Sequence, residues 1–196
     1  MVRVFLAGAS GVIGIRLVPL LVAAGHVVAG MTRSVAGMEV VRALGAQPVV
    51  CDVFNADKLA EAVTAFRPEL VMHQLTDLPD EVERIQEYAA RNNRIRTEGT
   101  RNLLTAARAA RANRFLAQSI AWTPPGRGEA VAEHERLVLE AGGVVLRYGA
   151  FYGPGTYSGT DRIPPPPRIH VDEAARRTLA EALAAPSGVI TVVEDA

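Results

Sequence analysis

The segment Gly8-Ala9-Ser10-Gly11-Val12-Ile13-Gly14 restricts this chain more than any other, because it sets three glycines three residues apart. It follows Val2–Ala7, a short apolar run of strand character. It opens Ile13–Ala24, whose apolar residues recur at helical spacing until Gly25 stops the helix. In such a strand-to-helix junction the first glycine permits a tight turn. The second lets backbone approach a pyrophosphate, and the third lets helix and strand pack closely. Helix N-terminal amides then face phosphate oxygens. A glycine triplet alone is often just a structural turn. Here the strand before it, the helix after it and a second strand at Val27–Met31 favour dinucleotide binding.

The rest of the chain keeps the same rhythm. Strands are expected at Pro48–Cys51, Leu70–Leu75, Arg114–Gln118, Val144–Arg147 and Val189–Val193, and helices at Val35–Leu44, Ala56–Phe66, Glu129–Ala141 and Asp172–Ala185. Glu81–Ala112 reads as a long helical region in one or two pieces. Strands alternating with helices of this length imply parallel crossovers, and buried parallel strands account for runs that are apolar throughout. The expected fold is α/β, a three-layer, doubly wound parallel sheet of Rossmann type forming one domain over 1–196. Phe151–Arg168, with four consecutive prolines from Pro164 to Pro167, breaks the pattern and reads as a loop of polyproline character.

Composition narrows the function classes. Twenty-one basic residues balance 21 acidic ones, so no general positive field exists to hold nucleic acid or an anionic membrane. No apolar run approaches the roughly 20 residues that span a bilayer. The single cysteine, Cys51, cannot form an intrachain disulfide, and the expected compartment is the cytoplasm. His73 reads as a satisfied core residue and His26 as a turn residue. His134 and His170 have no ligand partner at helical spacing, so no metal site is expected. Ser119 lacks the Gly-x-Ser-x-Gly surroundings of a hydrolase nucleophile.

The residue type after the second strand separates the two nicotinamide dinucleotides. An acid there bonds the ribose 2′-hydroxyl, whereas arginine accommodates a 2′-phosphate. Here the segment is Gly30-Met31-Thr32-Arg33-Ser34, with no acid and with the planar fork of Arg33. NADP(H) is therefore the expected cofactor ahead of NAD(H), the alternative for Arg33 being an ordinary surface arginine. Asp52 and Val53, after the third strand, would flank the adenine, although Asp52 could equally be a turn or capping residue.

On these residues the sequence resembles the short-chain dehydrogenase/reductase superfamily, in its extended or atypical branch of epimerases and dehydratases. The likeness runs through Gly8 to Gly14, Asp52-Val53, Val71-Met72-His73-Gln74 and Glu98-Gly99-Thr100-Arg101-Asn102-Leu103-Leu104. It continues through Leu146-Arg147, Tyr152-Gly153-Pro154-Gly155 and Ile169-His170-Val171-Asp172. The resemblance implies that Gly8, Ser10, Gly11, Val12, Ile13 and Gly14 cradle the cofactor with Arg33, Asp52 and Val53, and that Gln74, Leu75 and Thr76 line it. It further implies that Ser119 faces the nicotinamide, that Tyr148 borders it, and that 81–112 pairs two copies into a homodimer.

Two departures stand out. The superfamily relays protons through a tyrosine and a lysine four residues later. This chain's only lysine is Lys58, and its tyrosines are Tyr88, Tyr148, Tyr152 and Tyr157, so no such pair exists. Counted back from Glu135, which resembles the family's helix glutamate, the two positions hold Arg127 and Val131; Arg96 replaces an asparagine ahead of Gly99. The region from 156 to 168 is also short, so the substrate side around 151–170 is reduced and should be open. The leading expectation is an NADP(H)-binding oxidoreductase on a small-molecule carbonyl, alcohol or sugar-like substrate, with Ser119 and Tyr148 as catalytic candidates and a substrate group or water supplying what the tyrosine would. A silent dinucleotide sensor and a cofactor-independent isomerase or cyclase remain open as alternatives.

Overall fold

The computed structural model describes residues 1–79, 81–122 and 128–194. Its chain order is β1 (Arg3–Ala7), α1 (Gly14–Ala23), β2 (Val27–Thr32), α2 (Val35–Ala43), β3 (Gln47–Val50), α3 (Ala56–Phe66) and β4 (Leu70–His73). There follow α4 (Ala89–Arg94), α5 (Thr100–Ala109), β5 (Arg114–Ile120), α6 (Gly128–Glu140), β6 (Val144–Tyr148), β7 (Ala150–Tyr152), β8 (Arg168–His170), α7 (Val171–Ala184) and β9 (Gly188–Val192). Seven strands form one parallel sheet in the order β3-β2-β1-β4-β5-β6-β9. This is the expected Rossmann-type α/β sheet. The strand order reverses between β1 and β4, and in such sheets the crevice beyond the carboxyl ends at that point takes the ligand.

Alternation along the strands divides the core into two layers. Val4 and Leu6 of β1, Met72 of β4 and Leu116 of β5 face one side and pack with Leu17, Val18 and Leu21 of α1 and Ala174, Ala175 and Ala182 of α7. Phe5, Ala7, Val71, Phe115 and Ala117 face the other, against Leu59 and Val63 of α3, Leu103 and Ala106 of α5 and Val138 of α6. Each fully buried Leu or Phe side chain contributes about 1.5–3 kcal/mol relative to exposure. Among the described residues no helix is long and apolar enough to cross a membrane.

Three local features differ from the sequence expectation. The proline-rich segment is bounded by a small second sheet, since β7 pairs in parallel with β8, Phe151 opposite Ile169. Three-residue strands carry too little periodicity to be seen in a sequence. The region 81–112 holds a short 3₁₀ turn at Val82–Arg84, then α4 and α5 joined by a π-helical turn at Ile95–Gly99. β4 ends at His73, two residues earlier than expected, because the Leu75 amide turns back to His73 Nδ1 at 3.2 Å.

Candidate active site

The glycine loop lies at the switch point, between the ends of β1, β2 and β4. The amides of Gly8 and Ala9 both donate to the Met31 carbonyl at 3.1 Å, which ties the loop to β2. Gly8 has φ +93°, a left-handed conformation that L side chains rarely adopt, and a Cβ there would stand 2.6 Å from the Gln74 carbonyl oxygen. A Cβ on Gly14 would stand 2.2 Å from the Gly8 carbonyl oxygen, so α1 packs directly on the loop backbone. A Cβ on Gly11 would meet nothing within 4 Å but the loop's own Gly8 oxygen at 3.3 Å, which leaves the middle of the loop open. The Ser10 and Thr32 hydroxyls bond at 2.9 Å, and Arg16 fastens α1 to Asp172 at the start of α7.

Gln74 follows β4 and borders this loop. Its amide nitrogen Nε2 reaches the Tyr148 hydroxyl at 3.5 Å, whereas its Oε1 is buried without a hydrogen-bond partner. Burying an acceptor unpaired costs about 1–3 kcal/mol, so this oxygen calls for a donor that the described residues do not supply. The open glycine loop and this orphaned acceptor together fit a dinucleotide whose pyrophosphate lies at the start of α1. Leu75 is half-buried with its carbonyl taken by Gln118 Nε2 at 2.9 Å, and Thr76 is exposed. Asp52 is an exposed turn residue accepting from the Phe54 amide at 2.9 Å, while Val53 is buried against Gly99 in the π turn.

The end of β2 holds more than the sequence suggested. Arg33 is half-exposed and stands 3.4 and 3.5 Å from the two carboxylate oxygens of buried Asp77. Arg91 of α4 donates to the same Asp77 carboxylate at 3.0 Å and stacks on Tyr88, its guanidinium 4.5 Å from the ring centre. The Asp77 amide is held by Asn92 Oδ1 at 3.1 Å. An acid is thus present after all, brought from the β4–α4 connection, and two guanidinium groups outnumber it.

Ser119 and Tyr148 do not share one environment. Ser119 is buried and donates to Glu135 of α6 at 2.5 Å, and that carboxylate is clamped by Arg147 of β6 through Nε at 2.9 Å and Nη2 at 2.5 Å. Burial pulls the Glu135 carboxyl upward, but Arg147 and Ser119 outweigh it and hold it below the usual carboxylate range. Tyr148 lies on the α7 side, donating to Thr178 Oγ1 at 2.6 Å, and burial pushes its phenol up to about 12. Beside Glu135 and Arg147 opens a cavity of about 220 Å³, lined also by Ile120, Trp122, Val131 and Ala132. Val131, at the position matched to the family lysine, therefore lines a hollow. Arg127, at the tyrosine position, lies outside the described residues.

A buried polar chain underlies this region. The Leu75 amide donates to His73 Nδ1, which leaves the proton on Nε2 to donate to Thr100 Oγ1 at 3.1 Å. Thr100 donates in turn to His134 Nδ1 at 2.7 Å, and His134 Nε2 donates to the Gln118 carbonyl at 2.8 Å. Each group has one donor and one acceptor role, so both imidazoles are neutral in one fixed tautomer. Burial pushes both below the ordinary histidine value, His73 well below it with a further push from His134. His73 is thus the satisfied core residue expected of it, and among the described residues no group of three or more metal-ligating side chains exists.

The model of the NAD dependent epimerase/dehydratase family matches residues 4–138. The chain belongs to that family. A curated relative, 3-diazoavenalumate denitrifying reductase from a Streptomyces species, is 37% identical over 236 residues, covering 98% of this chain and 76% of the relative. Among solved structures, UDP-glucose 4-epimerase of Thermus thermophilus, in complex with NAD, superposes with a TM-score of 0.80 at 20% identity over 97% of this chain and 77% of its own. The Bordetella bronchiseptica enzyme WbmH, in complex with NAD+, does so at 0.78 and 17% identity over 100% of this chain and 76% of its own. At such identities the likeness is one of fold.

Sequence reading did not find Asp77, Arg91 or the closing of Glu135 onto Ser119 and Arg147. Asp77 carried a weak signal, standing next to the predicted lining residue Thr76. Arg91 carried none among so many arginines.

Proposed function

We propose that this protein is a nicotinamide-dinucleotide-dependent reductase that takes NADP(H) in preference to NAD(H) and acts on a small-molecule substrate. The observation that carries the reading is the open glycine loop at the switch point, packed on the backbone of Gln74, a residue whose side-chain Oε1 is buried and unpartnered. The family's nicotinamide-dinucleotide dependence and the relative's reductase name support the reductase part of this reading, and the preference for NADP(H) rests on Arg33 and Arg91. A bound nicotinamide supplies the hydride. The amides that follow Gly11 at the start of α1 would hold the pyrophosphate, Asp52 and Val53 would flank the adenine, and Gln74, Leu75 and Thr76 would line the remainder. Arg33 and Arg91 receive the 2′-phosphate while Asp77 fixes their orientation; two cations against one anion leave a positive balance for it.

Ser119 and Tyr148 act as positioning groups. The Ser119 proton is already given to an ionised Glu135, and a phenol near 12 is a poor proton donor or acceptor at neutral pH. Any proton the substrate needs then comes from water or from the substrate. Calorimetric titration with NADPH and NADH tests the reading. NADPH is expected to bind about tenfold or more tightly than NADH, with Arg33→Ala or Arg91→Ala removing most of the difference. Equal affinities would refute the phosphate preference, and no binding of either dinucleotide would refute the whole reading.

A further inference from the structure

We propose that the cavity between the end of β5, the first half of α6 and β6 is the substrate pocket, and that Arg147 within it selects a flat molecule carrying a carboxylate. The proposal rests on the reductase reading for the pocket's use, but its own evidence is the cavity wall. Glu135 and Arg147 form an ion pair whose two halves are unequally displayed, with the carboxylate side chain 9% exposed and the guanidinium side chain 43% exposed. The carboxylate is turned inward, taken up by Arg147 on both oxygens and by Ser119 on one. Arg147 uses Nε and Nη2 for that pair, and its side chain, the more exposed of the two, lines the cavity beside Glu135. A ligand therefore meets the cation of the pair.

The remaining wall selects shape. Trp122, the chain's one tryptophan, is 41% exposed, although large aromatics are usually well covered, and it lines the cavity with Ile120, Val131 and Ala132. A wall that combines an indole with short aliphatic side chains suits a planar ring. The volume of about 220 Å³ suits a single ring with a short substituent. Placement agrees, because Ser119 and Ile120 stand in register with Arg147 and Tyr148 at the carboxyl edge of the sheet. A guanidinium already fixed by Glu135 needs little ordering to receive a second carboxylate, since its planar fork is preorganised.

The probes are benzoate and its neutral isostere benzamide, titrated into the full chain with and without saturating NADP+, read by calorimetry and by Trp122 fluorescence. Benzoate is expected to change the emission and to bind about tenfold more tightly than benzamide, the increment of one charge-assisted contact. Arg147→Lys keeps the positive charge but not the fork, and should lower benzoate affinity about fivefold with little change for benzamide. Val131→Phe fills the cavity from α6 while Glu135 and Arg147 are both retained, and should abolish the response to both, at unchanged NADP+ affinity. Equal binding of the two probes, an unaltered benzoate affinity in both variants, or silence of Trp122 would overturn the proposal. A protein that binds NADP+ but not benzoate sinks this inference and spares the reductase reading. One that binds benzoate but no dinucleotide does the reverse.

Discussion

Replacing Thr100 by valine isolates the hydroxyl at the centre of the buried histidine chain. The two side chains are nearly the same shape and differ little in helix propensity, so neither a cavity nor a change in α5 enters the comparison. What is lost is the group that accepts from His73 Nε2 at 3.1 Å and donates to His134 Nδ1 at 2.7 Å. All three side chains are at most 1% exposed, so water cannot replace it. His134 Nδ1 loses its donor while His73 falls back on the Ile95 backbone beside it, so one buried atom becomes unpaired, which predicts a loss of about 1–3 kcal/mol. That is a large share of the roughly 5–15 kcal/mol by which native domains are stable. Thr100→Ser keeps the hydroxyl and removes one methyl, at about 1 kcal/mol. Urea denaturation followed by circular dichroism measures both variants. If valine costs no more than serine does, the hydroxyl is not the link that the geometry makes it.

The same histidines set a pH dependence. Their folded pKa values are depressed below the ordinary 6.5, so above that pH both folded and unfolded imidazoles are neutral and contribute no slope. Below it the unfolded chain takes up protons that the folded chain refuses, and stability falls by up to about 1.4 kcal/mol per pH unit for each histidine. Urea midpoints should therefore be flat between pH 7 and 8 and decline from about pH 6.5 downward; a midpoint that rises on acidification to pH 5.5 contradicts this. Gly14→Ala places a methyl 2.2 Å from the Gly8 carbonyl oxygen, against backbone that cannot swing aside. It should cost about 1–3 kcal/mol in thermal or urea unfolding and weaken dinucleotide binding more than tenfold, whereas Gly25→Ala, with nothing within 4 Å, should leave binding unchanged.

Much of the fold could be read from the chain because its signals are local. The glycine spacing from Gly8 to Gly14, the apolar strand runs and the helix stops at Gly25 and Gly45 are written in neighbouring residues, and their alternation implies a parallel sheet. The absence of a Tyr-x-x-x-Lys pair is equally a property of the chain. What the sequence concealed are contacts between residues far apart along it. Asp77 meets Arg33 across 44 positions, Glu135 meets Ser119 across 16 and Arg147 across 12, and β7 finds β8 beyond the prolines.

Those contacts depend on strand register and on how each helix rotates over the sheet, and a change of one residue would point the side chains elsewhere. The same division applies to the site. Sequence alone determined that three evenly spaced glycines join the first strand to the first helix and that no Tyr-x-x-x-Lys pair occurs in this chain. Tertiary structure decided that an acid reaches the end of β2 from another connection, that Ser119 is committed to a buried carboxylate, and that an arginine and a tryptophan face the hollow beside it. The reason is physical: backbone conformation follows from short-range sterics and periodicity, whereas the charge and shape of a pocket are set where several distant segments converge.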